Sequence, residues 1–363
     1  MNIIVDIGHP AHVHYFKNFI RIMSDRGHQV LIISRDKEVT FQLLDHLGLS
    51  YVSRGQGNTG ILGKLNYMLK ASLLIYRQSK KFKPDLFISF GSIYAALAAR
   101  MYGKPHIAFD DTEHAKLDLM LYPPLTRCVL TPETFRKDLG RKHIRFNGFM
   151  ELCYLHPNHF SPDINVLKLL GVEKDERYAV VRFVSWKARH DKGQAGIDRQ
   201  SKLDLVRFLL DRMKVFISSE EDLPSDLSSY RIEIPPHLLH DALAFSSIYI
   251  GEGATTASEA AVLGIPSIYV NSLTAGTLEE QEKRGLLYSF RNSDGVQSKL
   301  YEILEDLDRK KDYRFLASQM IEEMIDVSAF MVWFIESFPI SFKTLKTNPS
   351  FQDAFIGKAD AYI

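Results

Sequence analysis

Residues 251–256 carry two glycines, a carboxylate and two hydroxyls between an apolar run and a stretch rich in helix formers. Small residues at such a strand–helix turn let a ligand approach the backbone, and the free N–H groups of the first helical turn favour a phosphate. Glu259, about one turn further along, could then hydrogen-bond the hydroxyls of a sugar. The alternative is an ordinary strand–helix turn that binds nothing.

Three histidines follow the first apolar strand, at His9, His12 and His14. A neutral imidazole at the edge of a strand could take a proton from an acceptor hydroxyl, and we favour His9 as this base. Their spacing also suggests a metal site, but no cysteine or carboxylate close in sequence completes a ligand set, so we expect no metal. The alternative roles are capping of the following helix and simple exposure.

An acidic loop follows another predicted strand and holds the rival candidates for the base, Asp111, Glu113 and His114. Asp110 and Asp111 stand side by side, so like-charge repulsion could raise the pKa of one of them. A loop of this composition could instead serve only to fold the turn.

Basic residues follow the first strand of the second half of the chain, at Arg182, Lys187, Arg189 and His190. Positive charge at this point could neutralise a diphosphate as it leaves, in place of a metal ion. Arg182 is the strongest candidate because it stands within an apolar strand, where an unpaired charge is costly. The alternative is a solvated loop, which is the usual explanation of a charged run.

The elements that must position these residues are short apolar runs alternating with helices, a pattern that predicts two open parallel α/β sheets. We divide the chain into a first Rossmann-like domain (1–150), an aperiodic linker (151–165), a second Rossmann-like domain (166–325) and a tail (326–363) whose apolar helix packs back on the first domain. Ligands of such sheets bind beyond the carboxyl ends of the strands, so we expect the polar loops of both domains to face one cleft.

The bulk composition excludes some classes of protein. A net charge of +1 gives no support to general nucleic-acid binding, so we expect no nucleic-acid partner. Cys128 and Cys153 lack a CxxC spacing and are typical of reduced thiols in a cytosolic protein. The chain begins with a strand, and no apolar stretch approaches the roughly 20 residues of a spanning helix, so we predict a cytoplasmic protein.

The predicted helix 61–82 has an apolar stripe beside a basic face. The stripe consists of Leu62, Leu65, Met68, Leu69 and Leu73. Six lysines and arginines accompany it between residues 64 and 83. We favour a core helix with a solvated face; the alternative is a helix that rests on anionic lipid at the inner face of the membrane.

Two stretches of the second half, residues 235–242 and 253–266, resemble the donor-binding region of GT-B glycosyltransferases. They read Pro-Pro-His-Leu-Leu-His-Asp-Ala and Gly-Ala-Thr-Thr-Ala-Ser-Glu-Ala-Ala-Val-Leu-Gly-Ile-Pro. They are also similar to the non-hydrolysing UDP-N-acetylglucosamine 2-epimerases, whose N-terminal half fits residues 84–92 and 110–114. Over residues 1–325 the chain is identified as a member of a GT-B-like family known only as a domain of unknown function.

This resemblance implies a GT-B fold of two facing Rossmann-like domains, and it implies roles for individual residues. Glu259 would bind the ribose hydroxyls of a nucleotide, and Ile234 and Pro235 would line the pocket for the base. The diphosphate would meet Gly253, Thr255 and Thr256, and the candidates for nucleotide-sugar binding are completed by Gly8, Arg182, Lys187, His190 and His240.

We therefore expect a metal-independent GT-B glycosyltransferase that needs no cofactor. It would transfer a sugar from a nucleotide-sugar donor, which we expect to be UDP-linked, to a glycan or lipid-linked acceptor of the cell envelope. Gly251-Glu252-Gly253 stands where the epimerases carry Asp-Ser-Gly-Gly, so a nucleotide-sugar epimerase is only the second expectation. A third is a nucleotide-sugar-binding protein without turnover.

Overall fold

The computed structural model describes residues 1–184, 197–219, 222–308 and 312–357, and the chain folds into two compact units. Unit 1 comprises Met1–His159 and Met324–Ile363, and unit 2 comprises Phe160–Glu323. Along the chain, unit 2 is therefore an insertion into unit 1.

The secondary-structure elements alternate along the chain. The strands are Asn2–Ile7 (β1), Gln29–Ser34 (β2), Tyr51–Ser53 (β3), Leu86–Phe90 (β4), His106–Phe109 (β5), Cys128–Pro132 (β6), His143–Phe146 (β7), Tyr178–Phe183 (β8), Lys214–Ser219 (β9), Ile248–Gly251 (β10), Ser267–Val270 (β11) and Leu287–Phe290 (β12). The α-helices are Pro10–Asp25 (α1), Thr40–His46 (α2), Ile61–Phe82 (α3), Ile93–Tyr102 (α4), Asp118–Leu121 (α5), Leu152–Leu155 (α6), Val166–Leu170 (α7), Arg199–Leu210 (α8), Leu239–Ala244 (α9), Ala254–Val262 (α10), Gly276–Lys283 (α11), Val296–Asp308 (α12), Tyr313–Glu322 (α13), Val327–Glu336 (α14) and Ile340–Thr347 (α15). Short 3-10 turns occur at Pro123–Leu125, Gly140–Lys142, Ser228–Tyr230, Pro236–Leu238 and Pro349–Phe355.

Unit 1 is built on a parallel sheet of seven strands in the order β3-β2-β1-β4-β5-β6-β7. In its centre, Val5 of β1 lies opposite Ile32 of β2 on one side and Ile88 of β4 on the other. These strands are continuous apolar runs because helices cover both faces of a parallel sheet. The strand order reverses between β1 and β4, which is where open sheets of this kind bind ligands.

The C-terminal segment Met324–Ile363 belongs to unit 1. Helix α14 packs against α1 and buries Phe330, Phe334 and Ile335. The short helix α6 also packs against α1, and its four residues are buried. The sequence analysis expected an aperiodic linker from residue 151, but residues 152–155 form a helix. They are buried because their apolar side chains pack against α1.

The chain leaves unit 1 after His159 and returns to it at Met324, and side chains next to these two points contact each other. His159 Nε2 lies 2.8 Å from Asp326 Oδ1, and Asn158 donates a hydrogen bond of 3.0 Å to Asp326 Oδ2. Asp326 also accepts the backbone N–H of Ala329 and so caps α14. The pKa of Asp326 is lowered to about 2 because these hydrogen bonds and the charge of His159 together outweigh the effect of burial.

Unit 2 is built on a second parallel sheet, of five strands in the order β12-β11-β10-β8-β9. Ile250 in the middle strand lies opposite Val181 of β8 and Ile268 of β11, and all three are fully buried. Helix α10 ends just before Gly264, which has a φ of +73° and passes so close to Arg314 that a Cβ would lie 2.6 Å from its Cα. The prediction of two doubly wound parallel-sheet domains is confirmed.

Helix α3 has the predicted bounds, but its buried side is not the predicted leucine stripe. The buried residues are Tyr67, Ala71, Ser72, Ile75 and Ser79. Leu62 and Leu69 remain 82% and 61% exposed, so the prediction that this stripe belongs to the core is wrong. The contact between α3 and α4 is formed instead by Ile75, which packs in one cluster with the small residues Ala98 and Ala99 of α4. Across the described ranges, no helix combines the length and apolar character needed to cross a bilayer.

Candidate functional site

The start of α10 is the first element of the candidate site in unit 2. Strand β10 ends at Gly251, and α10 begins at Ala254 with Gly253 as its N-cap residue. No side chain caps this helix, so the N–H groups of its first turn are not satisfied in that way. Thr255 is partly exposed in this turn and Thr256 is buried. Such a helix start, which carries a partial positive charge, is suited to an anion.

Arg182 lies beside this helix start. It is directly opposite Gly251 in the pairing of β8 with β10, and its Nη1 donates a hydrogen bond of 2.9 Å to Ser218 Oγ. A Cβ on Gly253 would lie 3.4 Å from Arg182 Nε, so the absent side chain leaves the guanidinium next to the first turn of α10. A full positive charge and the helix dipole therefore act at the same point.

A buried tyrosine explains the first glycine of the turn. A Cβ on Gly251 would lie 2.4 Å from the hydroxyl of Tyr249 and 2.7 Å from the carbonyl oxygen of Arg182. Burial raises the pKa of Tyr249 well above its usual value, so this side chain stays neutral. Tyr249 thus fills the space under the turn, and residue 251 must be a glycine because a side chain there would clash with the tyrosine hydroxyl.

Glu259 and His240 form a buried pair one turn and a half into α10. Glu259 Oε1 lies 3.0 Å from His240 Nε2, and the two residues are 4% and 3% exposed. Phe160 meets the His240 ring edge-on at 6.3 Å between centroids. The contact with His240 holds the carboxylate in one orientation. It also supplies the partner that a buried carboxylate needs, since an unpaired one would be costly. Pro235 lies at the exposed start of the 3-10 turn that leads to α9 and His240.

Glu252 is a buried carboxylate to which the sequence analysis gave no role. It accepts hydrogen bonds of 3.0 Å from the backbone N–H groups of Val184 and Ile197, and it forms an ion pair of 2.9 Å with Lys202 Nζ. One carboxylate thus joins the two ends of the segment 185–196. Lys187 and His190, with Arg189, lie in that segment and so outside the described residues. A glutamate between two glycines after a strand was the signal available in the sequence.

In unit 1, His9 caps the helix that follows β1. Its Nδ1 accepts the backbone N–H of Ala11 at 3.2 Å, and Pro10 occupies the first position of α1. A neutral imidazole whose Nδ1 accepts carries its hydrogen on Nε2, so this ring would offer a donor to a ligand. Capping was one of the roles that the sequence left open for this histidine.

His12 stands one turn into the same helix and also faces the turn. Its Nδ1 accepts the N–H of Gly8 at 3.2 Å, and its ring lies 4.7 Å from that of Phe90. Burial lowers the pKa of His12 well below its usual value, and the charges of His9 and Arg54 lower it further. The imidazole therefore stays neutral near pH 7.

A buried ion pair under this turn was missed by sequence reasoning. Arg54 Nε lies 2.8 Å from Asp6 Oδ1, and Asp6 Oδ2 accepts the hydroxyl of Ser92 at 2.5 Å. Arg54 also donates to the hydroxyl of Tyr67 at 2.6 Å. A Cβ on Gly8 would lie 3.2 Å from Arg54 Nη2, so Gly8 lets the chain pass over the pair. A lone aspartate within an apolar strand was the only signal for it.

The acidic loop after β5 contains two carboxyls with raised pKa values. Asp110 is buried and accepts hydrogen bonds from the Tyr122 hydroxyl at 2.6 Å and the Thr112 N–H at 2.8 Å. Burial raises the pKa of Asp110 despite these bonds. Burial also raises the pKa of Asp111, and the charge of Asp110 raises it further. The repulsion that the sequence suggested thus raises the pKa of Asp111 less than burial does.

The other two acidic-loop candidates have different surroundings. Glu113 accepts the backbone N–H of Arg136 at 3.1 Å, and the Arg136 Nε lies 3.7 Å from its second oxygen. His114 is exposed, and partial desolvation of its ring lowers the pKa, which favours the neutral imidazole near pH 7. Among the described residues, no group of three or more His, Cys, Asp or Glu side chains is arranged to hold a metal.

Comparisons with known proteins agree with this architecture. Residues 1–326 match the model of a family described as "Protein of unknown function (DUF354)". An uncharacterised protein of Methanocaldococcus jannaschii, MJ0665, is 24% identical over 279 residues, which is 74% of this chain and 81% of that protein.

Solved structures of two kinds of enzyme share the fold. The UDP-GlcNAc 2-epimerase of Neisseria meningitidis bound to UDP-GlcNAc has a TM-score of 0.59 and 13% identity, and the match covers 87% of this chain and 94% of that one. The spinosyn forosaminyltransferase SpnP has a TM-score of 0.60 and 15% identity, and covers 89% and 95%. At these identities the likeness establishes the GT-B-like fold.

Proposed function

The chain belongs to the DUF354 family, whose function is unknown, and we propose that it is an enzyme that acts on a nucleotide sugar. In the first instance we propose a metal-independent glycosyltransferase that moves a sugar from a UDP-linked donor to a glycan or lipid-linked acceptor. The observation that carries this proposal is Arg182 beside the uncapped start of α10. A guanidinium and free helical N–H groups at one point suit a diphosphate.

Donor binding is assigned to unit 2. The diphosphate would accept hydrogen bonds from the first turn of α10, and Arg182 would neutralise its charge. Glu259, held by His240, would accept hydrogen bonds from the ribose hydroxyls. The Neisseria epimerase that shares the fold binds UDP-GlcNAc, which supports a uridine nucleotide as the first ligand to test.

The transfer step requires a base, which we assign to unit 1. The acceptor oxygen forms a bond to the anomeric carbon, and the bond from that carbon to the diphosphate oxygen breaks with its electron pair on the leaving diphosphate. The proton of the acceptor hydroxyl passes to the base. Asp111 is the first candidate because a raised carboxyl pKa suits proton transfer near neutral pH. His9 is the second candidate, and it ranks lower because its Nδ1 accepts the N–H of Ala11, so it could take a proton only if this cap were released.

A thermal-shift series tests the donor site. The purified protein is heated with UDP, GDP, CMP, dTDP and their sugars, and we expect UDP and a UDP-sugar to raise the Tm. Arg182→Gln and Glu259→Gln should each remove most of that increase. Arg207→Gln is the matched control, because the Arg207 side chain in α8 is 65% exposed. Within the described part of the chain, its one ion pair is with Asp204. Absence of any shift with all four nucleotide families would overturn the proposal.

An isomerase acting on the nucleotide sugar is the second candidate. Its support is the likeness to solved 2-epimerases, which covers most of both chains. A transferase releases UDP only when an acceptor is present, whereas an isomerase changes the sugar without one. A protein that shifts its melting point with UDP-sugars but does neither would be a binding protein without turnover.

A further inference from the structure

The exposed side of α3 is unusually apolar at its N-terminal end. Ile61, Leu62 and Leu69 are 87%, 82% and 61% exposed, and Leu65 and Leu73 are also exposed. Contiguous exposed leucines on one side of a helix are uncommon on a monomer and generally mark an interaction surface. This surface is separate from the buried side, which packs on α4.

The same side of the helix is basic further along. Spacings of 7 and 11 residues bring Leu62, Leu69 and Lys80 to nearly the same direction at 100° per residue. Arg77 and Lys81 lie about 60° and 100° to one side of this direction, and both are exposed. The helix sequence contains five lysines and arginines and no aspartate or glutamate. A helix that is apolar and then cationic along one exposed side is typical of a segment that lies in a lipid interface.

A second apolar segment lies at the same edge of unit 1. Leu117 and Met120, at α5, are 67% and 73% exposed. Helix α4 lies beside both segments, because the ring of Tyr94 meets that of Tyr67 of α3 at 5.4 Å, and Ile93 packs on the same apolar cluster as Leu119 of α5. Helix α3 follows the carboxyl end of β3, and α5 follows that of β5. Both apolar segments are therefore at the edge that carries the acidic loop.

We propose that this surface, formed by Ile61, Leu62, Leu65, Leu69 and Leu73 with the basic residues of α3, docks on an anionic lipid bilayer. The leucines enter the boundary between headgroups and acyl chains, and the cations contact anionic headgroups. Charge decides between lipid and a second copy of the chain, because two copies of an exclusively cationic face repel each other. Docking would bring the acidic loop of unit 1 close to the membrane surface, where a lipid-linked molecule presents its polar end.

Sedimentation with vesicles tests this docking on the full chain. Vesicles of phosphatidylcholine alone are compared with vesicles that also contain phosphatidylglycerol, at low and high ionic strength. We expect binding to the second kind only, weakened by salt. Leu62→Gln with Leu69→Gln should weaken binding at least about tenfold, and Arg77→Gln with Lys80→Gln by about fivefold per charge.

The control carries the same kinds of substitution on another exposed helix of unit 1, as Ile340→Gln with Lys343→Gln in α15. It should bind vesicles like the unaltered protein. Failure of the unaltered protein to bind anionic vesicles would overturn the proposal, and so would undiminished binding by the leucine variant. A leucine variant that converts a dimer to a monomer in light scattering would show that a second copy is the occupant. The UDP-induced change in Tm, measured on the same variants, should stay constant and keeps this test independent of the proposed function.

Discussion

Helices α1 and α10 each begin directly after a strand of a parallel sheet, yet their first turns are completed differently. At α1 the side chain of His9 bonds the N–H of Ala11, whereas at α10 Gly253 offers no side chain. The first helix start is thus satisfied by its own chain, and the second is left for an anion with Arg182 beside it. Two strand–helix turns, one in each unit, are therefore completed in different ways, which agrees with the proposal of acceptor chemistry in unit 1 and phosphate binding in unit 2.

The largest expected effect concerns the acidic loop of unit 1. Asp111→Asn should lower kcat at least about a hundredfold, because loss of a general base costs that much or more. UDP binding should be unchanged, as measured by the shift in Tm. Under the proposed function, the kcat of the unaltered protein should fall as the pH decreases through the raised pKa of this carboxyl, since the base must be ionised. An Asp111→Asn variant that keeps full activity would transfer the role of base to His9, and His9→Ala then becomes the test.

The second effect concerns stability in acid and is specific to unit 1. Burial lowers the pKa of His106 to about 3, while its ring contacts Ser89 and Thr126. The unfolded chain takes up the proton near pH 6.5 and the folded chain does not, so this stability is lost as the pH falls from about 6.5 towards 3. Between pH 7 and 5 the free energy of unfolding should fall by about 2 kcal/mol from this group alone. Urea unfolding of His106→Asn should show a correspondingly smaller decrease; an identical decrease would contradict the assignment.

The third effect tests the helix start in unit 2 directly. Gly253→Asp supplies a capping carboxylate next to Arg182 and so makes α10 resemble α1. UDP affinity should fall at least about tenfold, because the new carboxylate occupies the anion's place and neutralises Arg182. The Tm without ligand should be unchanged or slightly higher, since Asp is a good N-cap residue. Retained UDP binding, measured by calorimetry, would show that the phosphate lies elsewhere.

The smallest effect is the reverse exchange in unit 1. His9→Gly removes the cap of α1 and should reduce the free energy of unfolding by only a few tenths of a kcal/mol up to about 1 kcal/mol. UDP affinity should not change, because this helix start is not the proposed phosphate site. Urea unfolding and calorimetry measure the two quantities. A large loss of UDP affinity would mean that the two helix starts are not as different as their caps suggest.

The sequence predicted the strands of the two sheets better than it predicted which side of a helix is buried. Continuous apolar runs such as β1 and β10 indicate buried parallel strands whatever surrounds them, and the bounds of α3 follow from its apolar period and from Pro84. The side of α3 that is buried was not predicted, because small residues such as Ala71 and Ser72 are buried while the leucines stay exposed.

The candidate site was predicted in part for a similar reason. The turn at Gly253 and the helix with Glu259 are local patterns, so sequence reasoning found them. The pairing of Glu259 with His240 joins residues 19 positions apart, and Glu252 bonds groups 50 to 68 positions away. Such long-range contacts have no periodic signal in the chain, so only the structure identifies them.

The path of the chain through unit 1 has a consequence for biosynthesis. Helix α1 emerges early from the ribosome, but its cover, α14, follows only after all of unit 2 has been translated. Until then the part of α1 that α14 covers is exposed, whereas α2, α6 and the first strands are already available to the rest of the helix. The clasp of Asp326 by His159 and Asn158 is then among the last native contacts to form.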